Sequence, residues 1–171
     1  MMSKKLIAAL FLCGLSYAQA QTVRTLPAVE IKDLKGATVS TDKFSNDGKP
    51  MIVDFWATWC KPCVLELNTI QEHYDEWQKE TGVKVFAIST DDARNTAKVG
   101  PFVAGKAWDF DIYLDPNGDF KRALNVNNIP HTFLLNGKGE IVWQHASFEP
   151  GDEEHLYELV KKVAKGEKIE E

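Results

Sequence analysis

The chain has 171 residues, 44% hydrophobic and 11% aromatic, enough for one domain to bury a full core without disulfide staples. Its formal charge is −5 and no basic cluster interrupts it, which speaks against a nucleic-acid partner. At the start, Lys4 and Lys5 precede an apolar run from Leu6 to Tyr17, and Ala18-Gln19-Ala20 follows. Basic residues, a short hydrophobic segment and small residues at a cut are the order of a secretory signal. Residues 1–20 are therefore read as a signal peptide, and residues 21–171 as a single exported domain. The run is short for a bilayer span, and no later stretch approaches the length, so no stable membrane span is expected after cleavage. The small-x-small site argues against an uncleaved anchor, and the bulky Leu12 argues against a lipid-modified Cys13. On this reading Cys13 leaves with the leader, and the mature chain keeps two cysteines, Cys60 and Cys63.

Pro27 to Ser40 reads as a short hairpin, with Val29, Ile31 and Val39 flanking a turn at Lys35-Gly36. After a polar loop over 45–50, Met51 to Ala57 is a nearly unbroken apolar run, as in a strand covered on both faces. From Cys60 the period changes: Leu67, Ile70, Tyr74 and Trp77 recur at helical spacing, and Thr81-Gly82 supplies the stop. A strand is expected over 83–90, then a helix capped by Asp91 or Asp92 and broken by Gly100-Pro101. Ile112 to Leu114 is a short strand closed by Asp115-Pro116-Asn117-Gly118, with a short helix near 120–124. Strands over 131–135 and 141–145 flank Asn136-Gly137-Lys138-Gly139 as a second hairpin. Leu156, Leu159, Val160 and Val163 mark a final amphipathic helix. The order predicts an α/β fold: a mixed central sheet, helices on both faces and an added N-terminal β-hairpin.

Cys60-Lys61-Pro62-Cys63 falls where the buried strand ends and the helix begins. Cysteines at i and i+3 on a first helical turn can close and reopen a disulfide. The unpaired N–H groups and partial positive charge there favour a thiolate on Cys60. Pro62 fits a turn with no use for its missing N–H, and Lys61 adds a positive charge. A stabilising disulfide gains most from closing a long loop, which this one does not do. A zinc site needs two further ligands, and the four histidines are scattered, so no metal is expected.

The segment Phe55-Trp56-Ala57-Thr58-Trp59-Cys60-Lys61-Pro62-Cys63 resembles the active-site stretch of the thioredoxin superfamily, and most nearly its exported branch typified by TlpA and ResA. The likeness covers nearly all of residues 27–165 and implies a thioredoxin fold. It also implies that the cofactor is none beyond the redox-active Cys60–Cys63 disulfide itself. Cys60 would attack and Cys63 resolve. Ile129-Pro130 matches the family's cis proline facing the cysteines, beside which an extended substrate strand pairs. Asp54 matches the buried acid of thioredoxins, and Glu66 the acidic residue of the exported branch. That branch usually has Asn at the position of Asp54, so two proton acceptors near one dithiol set this chain apart. Asp54 is expected to titrate abnormally high. Trp59, Lys61 and Pro62 are candidates for contact with substrate. Trp56 is expected to pack, and His131 to be an ordinary strand-start residue.

The resemblance implies an exported, periplasmic or otherwise extracytoplasmic, protein-disulfide oxidoreductase. Its partners would be protein disulfides or thiols and an upstream electron donor. Reduction of partner disulfides is the expected direction, with a place in cytochrome c maturation as one use. The alternatives are a dithiol oxidase or isomerase, a peroxiredoxin-like peroxidase, and a thioredoxin fold that binds partners without turnover. The peroxidase pattern P-x-x-x-T-x-x-C does not fit, since Thr58 stands two residues before Cys60.

Overall fold

Seven strands form one sheet in the order β2-β1-β5-β4-β3-β6-β7, described over residues 23–169 in a computed structural model. The leader expected over 1–20, with Cys13, lies outside those residues. The strands are β1 (Glu30–Asp33), β2 (Thr38–Ser40), β3 (Met51–Trp56), β4 (Lys84–Ser89), β5 (Asp111–Leu114), β6 (His131–Leu135) and β7 (Ile141–Ala146). The helices are α1 (Lys61–Thr81), α2 (Val99–Lys106), α3 (Asp119–Ala123) and α4 (Asp152–Ala164). β3, β4 and β5 run parallel, while β6 and β7 on one side and β1 and β2 on the other are antiparallel. This is the mixed sheet with an added N-terminal hairpin that the element order predicts.

The central strand β3 is buried along its whole length, and its alternation divides two cores. Ile52 and Trp56 pack with Cys63, Leu67 and Ile70 of α1 and with Leu156 and Val160 of α4. Val53 and Phe55 pack on the other face with Phe44, Phe120 of α3 and Phe133. Each such side chain contributes about 1.5–3 kcal/mol on burial. Gly82 ends α1 in the left-handed region (φ 68°), donating its N–H to the Gln78 carbonyl, so the expected stop holds.

Two local expectations are corrected. Gly100-Pro101 does not break the helix: α2 begins at Val99 and runs through both residues. Pro101 lies in the first turn, where an N–H has no intrahelical partner to lose. The discontinuity falls earlier, between a 3-10 turn at Thr96–Lys98 and α2. Asp92 does close the turn ahead of that segment, accepting from the N–H groups of Arg94 and Asn95. Asp91 caps nothing; it is turned inward and fully buried.

The β6–β7 hairpin tip presses on the loop before β3. A Cβ on Gly137 would stand 1.9 Å from the carbonyl oxygen of Gly48, which only a backbone shift relieves. Gly137→Ala is expected to cost about 1–3 kcal/mol of stability through that overpacking. A lowered denaturant midpoint at unchanged slope checks it, and a wild-type midpoint refutes it.

Candidate active site

The carboxyl end of β3 delivers the chain to α1 through Ala57-Thr58-Trp59-Cys60. The turn is pinned from below. Thr58 donates its N–H and its hydroxyl to the two carboxylate oxygens of Asp91, at 2.8 and 2.6 Å. Asp91 also accepts from the Ser89 hydroxyl at 2.9 Å. Three donors on one buried carboxylate fix the approach to Cys60, because releasing any of them would leave a buried polar group unpaired. Sequence reasoning missed this role. The available signal was an acidic residue just past the end of a buried strand, beside the end of β3.

Cys60 is the N-cap of α1, and its Sγ accepts from the Cys63 N–H at 3.4 Å. Pro62 lies in the first turn, where α1 tolerates it. Cys60 and Cys63 are joined by a disulfide, with S–S 2.04 Å and Cα–Cα 5.3 Å. The two sulfurs differ in access: Cys60 is 5% exposed and Cys63 not at all. Lys61 and Pro62 are exposed, and Trp59 stands 67% exposed beside them. Trp56 is fully buried and packs edge-on to Trp108 at 5.0 Å, as a core residue does.

The Ile129–Pro130 peptide bond is cis, as the resemblance implies. Ile129 is half-buried against the core that holds both cysteines. His131 stacks on Phe133 at 4.6 Å, on the sheet face away from α1, so it does not approach the dithiol. Burial and the nearby Arg24 cation push its imidazole below the usual range.

Asp54 and Glu66 meet at the Thr132 hydroxyl. Strand alternation puts Asp54 on the α1 face between Ile52 and Trp56. Glu66 follows Cys63 by three residues on the buried stripe of α1 and is only 5% exposed, so it is no surface helix residue. Thr132 of β6, directly opposite Asp54 in register, joins them. Its Oγ1 lies 2.9 Å from Asp54 Oδ2 and 2.7 Å from Glu66 Oε1. The other carboxyl oxygens, Asp54 Oδ1 and Glu66 Oε2, are buried without a partner among the described residues. Loss of water pushes the Asp54 carboxyl up to about 7, with the Thr132 contact opposing. Burial raises Glu66 well above the usual range, and the charges of Asp54 and Asp152 raise it further. The burial that the sequence reading gives as the cause of a raised Asp54 is there: the side chain is fully enclosed. Thr132, which ties the two acids together, carried no sequence signal of its own.

Among the described residues, no group of three His, Cys, Asp or Glu side chains is placed to hold a metal ion. No helix there is long and apolar enough to cross a membrane.

The model of the AhpC/TSA family matches residues 23–144. The chain belongs to the AhpC/TSA family. Sporulation thiol-disulfide oxidoreductase A of Bacillus subtilis is 33% identical over 126 residues, covering 72% of this chain and 74% of the relative. The thiol-disulfide oxidoreductase ResA of Bacillus thuringiensis is 29% identical over 137 residues, covering 80% of this chain and 75% of the relative. A thioredoxin-like protein from Porphyromonas gingivalis superposes with a TM-score of 0.75 at 48% identity, over 82% of this chain and 92% of that one. The crystal structure of StoA from Bacillus subtilis superposes with a TM-score of 0.61 at 28% identity, over 78% and 97%. This AhpC/TSA member is a thiol-disulfide oxidoreductase with a thioredoxin fold, of the ResA and StoA type.

Proposed function

We propose that this protein is exported and reduces disulfides in partner proteins through Cys60 and Cys63. The asymmetry of the two sulfurs carries the reading: the reachable Cys60 caps a helix N-terminus, and Cys63 is sealed beneath it. The cap position stabilises a thiolate on Cys60 in the reduced protein. That thiolate attacks a partner disulfide; one partner sulfur joins Cys60 and the other leaves as thiolate. Cys63 then gives its proton to the Asp54/Glu66 pair and attacks Cys60 Sγ, releasing the second partner sulfur. The enzyme ends as the Cys60–Cys63 disulfide and is reset by an upstream dithiol donor. Trp59, Lys61 and Pro62 supply the exposed rim on which the partner rests, and Ile129-Pro130 lines it. No cofactor beyond the dithiol is needed by this chemistry. Residues 1–20 serve as the export signal and residues 21–171 as one domain. Apocytochrome c disulfides, reduced to the thiols that haem attachment requires, are one substrate class for this chemistry.

The redox potential of the Cys60/Cys63 couple tests the direction. A value near about −270 mV, as in thioredoxin, is expected, with catalysed reduction of insulin; one near about −120 mV would make the protein an oxidant. Peroxide consumption that survives Cys63→Ser would instead favour the peroxidase.

A further inference from the structure

A hydroxyl has one proton, and the Thr132 hydroxyl stands within hydrogen-bond distance of two carboxyl groups at once. It donates to one and must accept from the other, so at least one of the two acids carries a proton whenever both contacts are made. The two acids have different surroundings. Asp54 is sealed within the sheet on β3, between β4 and β6, with no exposed surface. Glu66 and Thr132 both line a small pocket, with room for about one water, whose other walls include Trp143, His145, Asp152 and Glu153. His145 continues the same row across the sheet, opposite Thr132 on β7, and its Nε2 lies 3.7 Å from Asp152 Oδ2 at the half-exposed rim. Row, bridge and pocket point the same way: from the interior at Asp54, through Thr132, to Glu66 and out beneath α4.

We propose that the Thr132 hydroxyl is a proton relay that joins Asp54 and Glu66 into one acid–base unit, with Glu66 as its outlet to solvent. The inference rests on the reading that this pair handles the Cys63 proton. When Cys63 attacks Cys60 Sγ, its proton passes to the carboxylate of the pair and the electron pair left on sulfur forms the new S–S bond. The old Cys60–partner bond breaks with its electrons on the departing sulfur. Thr132 then gives its proton to one acid as it receives one from the other, and the surplus proton leaves from Glu66 to water in the pocket. Enzyme re-reduction runs the same path inward. Glu66 lines the pocket whereas Asp54 is sealed in the sheet, and the Thr132 bridge connects Asp54 to that pocket. The charged groups facing the path are Asp54 from β3, Glu66 from α1, His145 from β7, and Asp152 and Glu153 from α4. Thr132 is a positioning residue in this scheme and touches no reacting sulfur.

The test is the pH profile of mixed-disulfide resolution, measured from release of the partner thiol in the full-length protein. Thr132→Val is expected to slow resolution about tenfold or more near neutral pH, and Thr132→Ser, which restores the hydroxyl, to recover most of it. The Thr132→Val/Glu66→Gln double variant should be no slower than the slower single, because both cut one path. In the unaltered oxidised protein, the side-chain carbon resonances of Asp54 and Glu66 should report the same two titration steps. A wild-type profile in Thr132→Val, additive losses in the double variant, or independent single-step titrations would overturn the relay. Should Asp54→Asn and Glu66→Gln also leave the profile unchanged, the underlying reading fails as well; a shift in those two alone condemns only the relay.

Discussion

Cys60→Ser is expected to lower catalysed disulfide reduction by at least about 10³-fold, as removal of a nucleophile does. Cys63→Ser is expected to stop turnover differently, by trapping a covalent complex. The two residues are three apart on one helical turn, yet they present different chemistry. Cys60 caps α1, where the unpaired N–H groups and the helix dipole stabilise a negative sulfur, and it retains a little exposure. Cys63 is wholly buried, where a partner protein cannot reach it. A partner disulfide therefore meets Cys60 first. With serine at 63, the first exchange proceeds and the second has no nucleophile. Non-reducing electrophoresis or intact mass should show a stoichiometric adduct of Cys63→Ser with a glutathione-linked or peptide disulfide, and no adduct of Cys60→Ser. Adduct formation by Cys60→Ser, with none by Cys63→Ser, would reverse the assignment of attacker and resolver.

What the sequence disclosed and what it withheld divide along a physical line. β3 and α1 were legible because burial on both strand faces and a 3.6-residue stripe are written in consecutive residues. The cysteine pair was legible because a junction between those two periodic segments places a helix N-terminus under it. Glu66 was half legible: its i+3 spacing from Cys63 predicts a shared face, whereas its burial depends on β6 and α4 closing over it. Asp91 was legible only as a cap candidate past a buried strand, not in its tie to Thr58, and Thr132 was not legible at all. Their partners lie 33 residues away at Thr58, and 78 and 66 residues away at Asp54 and Glu66, and only strand register brings them together. Pro101 misled because a proline reads as a breaker until the start of its helix is known. Two buried carboxylates, Asp54 read as a departure from the exported branch and Glu66 as a match to it, proved to be one cluster, and its raised carboxyls set the expected pH dependence.

Oxidised protein is expected to lose stability as pH rises between about 4 and about 7, and Asp54→Asn to remove most of that loss. In the oxidised form the two cysteines do not titrate and add nothing to the trend. The folded-state pKa of Asp54 is raised, from 3.8 to about 7, because burial disfavours the charged form. Between those two values the folded chain holds a proton that the unfolded chain has released. Folding therefore takes up protons in that window, and stability must fall as pH climbs through it. The stability is fully present below about 4 and lost once Asp54 ionises above about 7. Such a rise corresponds to roughly 4 kcal/mol, a large share of the total for a domain of this size. Glu66 moves in the same direction, and its elevation depends partly on the Asp54 charge, so Asp54→Asn should also ease Glu66. His131 opposes the trend: its lowered pKa makes stability rise with pH up to the ordinary imidazole value. Comparing Asp54→Asn with the parent at each pH removes the His131 contribution, which both share. Urea denaturation at pH 4.5 and pH 8 should show the two proteins close together at the lower pH, and the variant ahead by roughly 2–4 kcal/mol at the higher. Parallel curves at both pH values would mean that Asp54 is ionised in the folded protein at no cost.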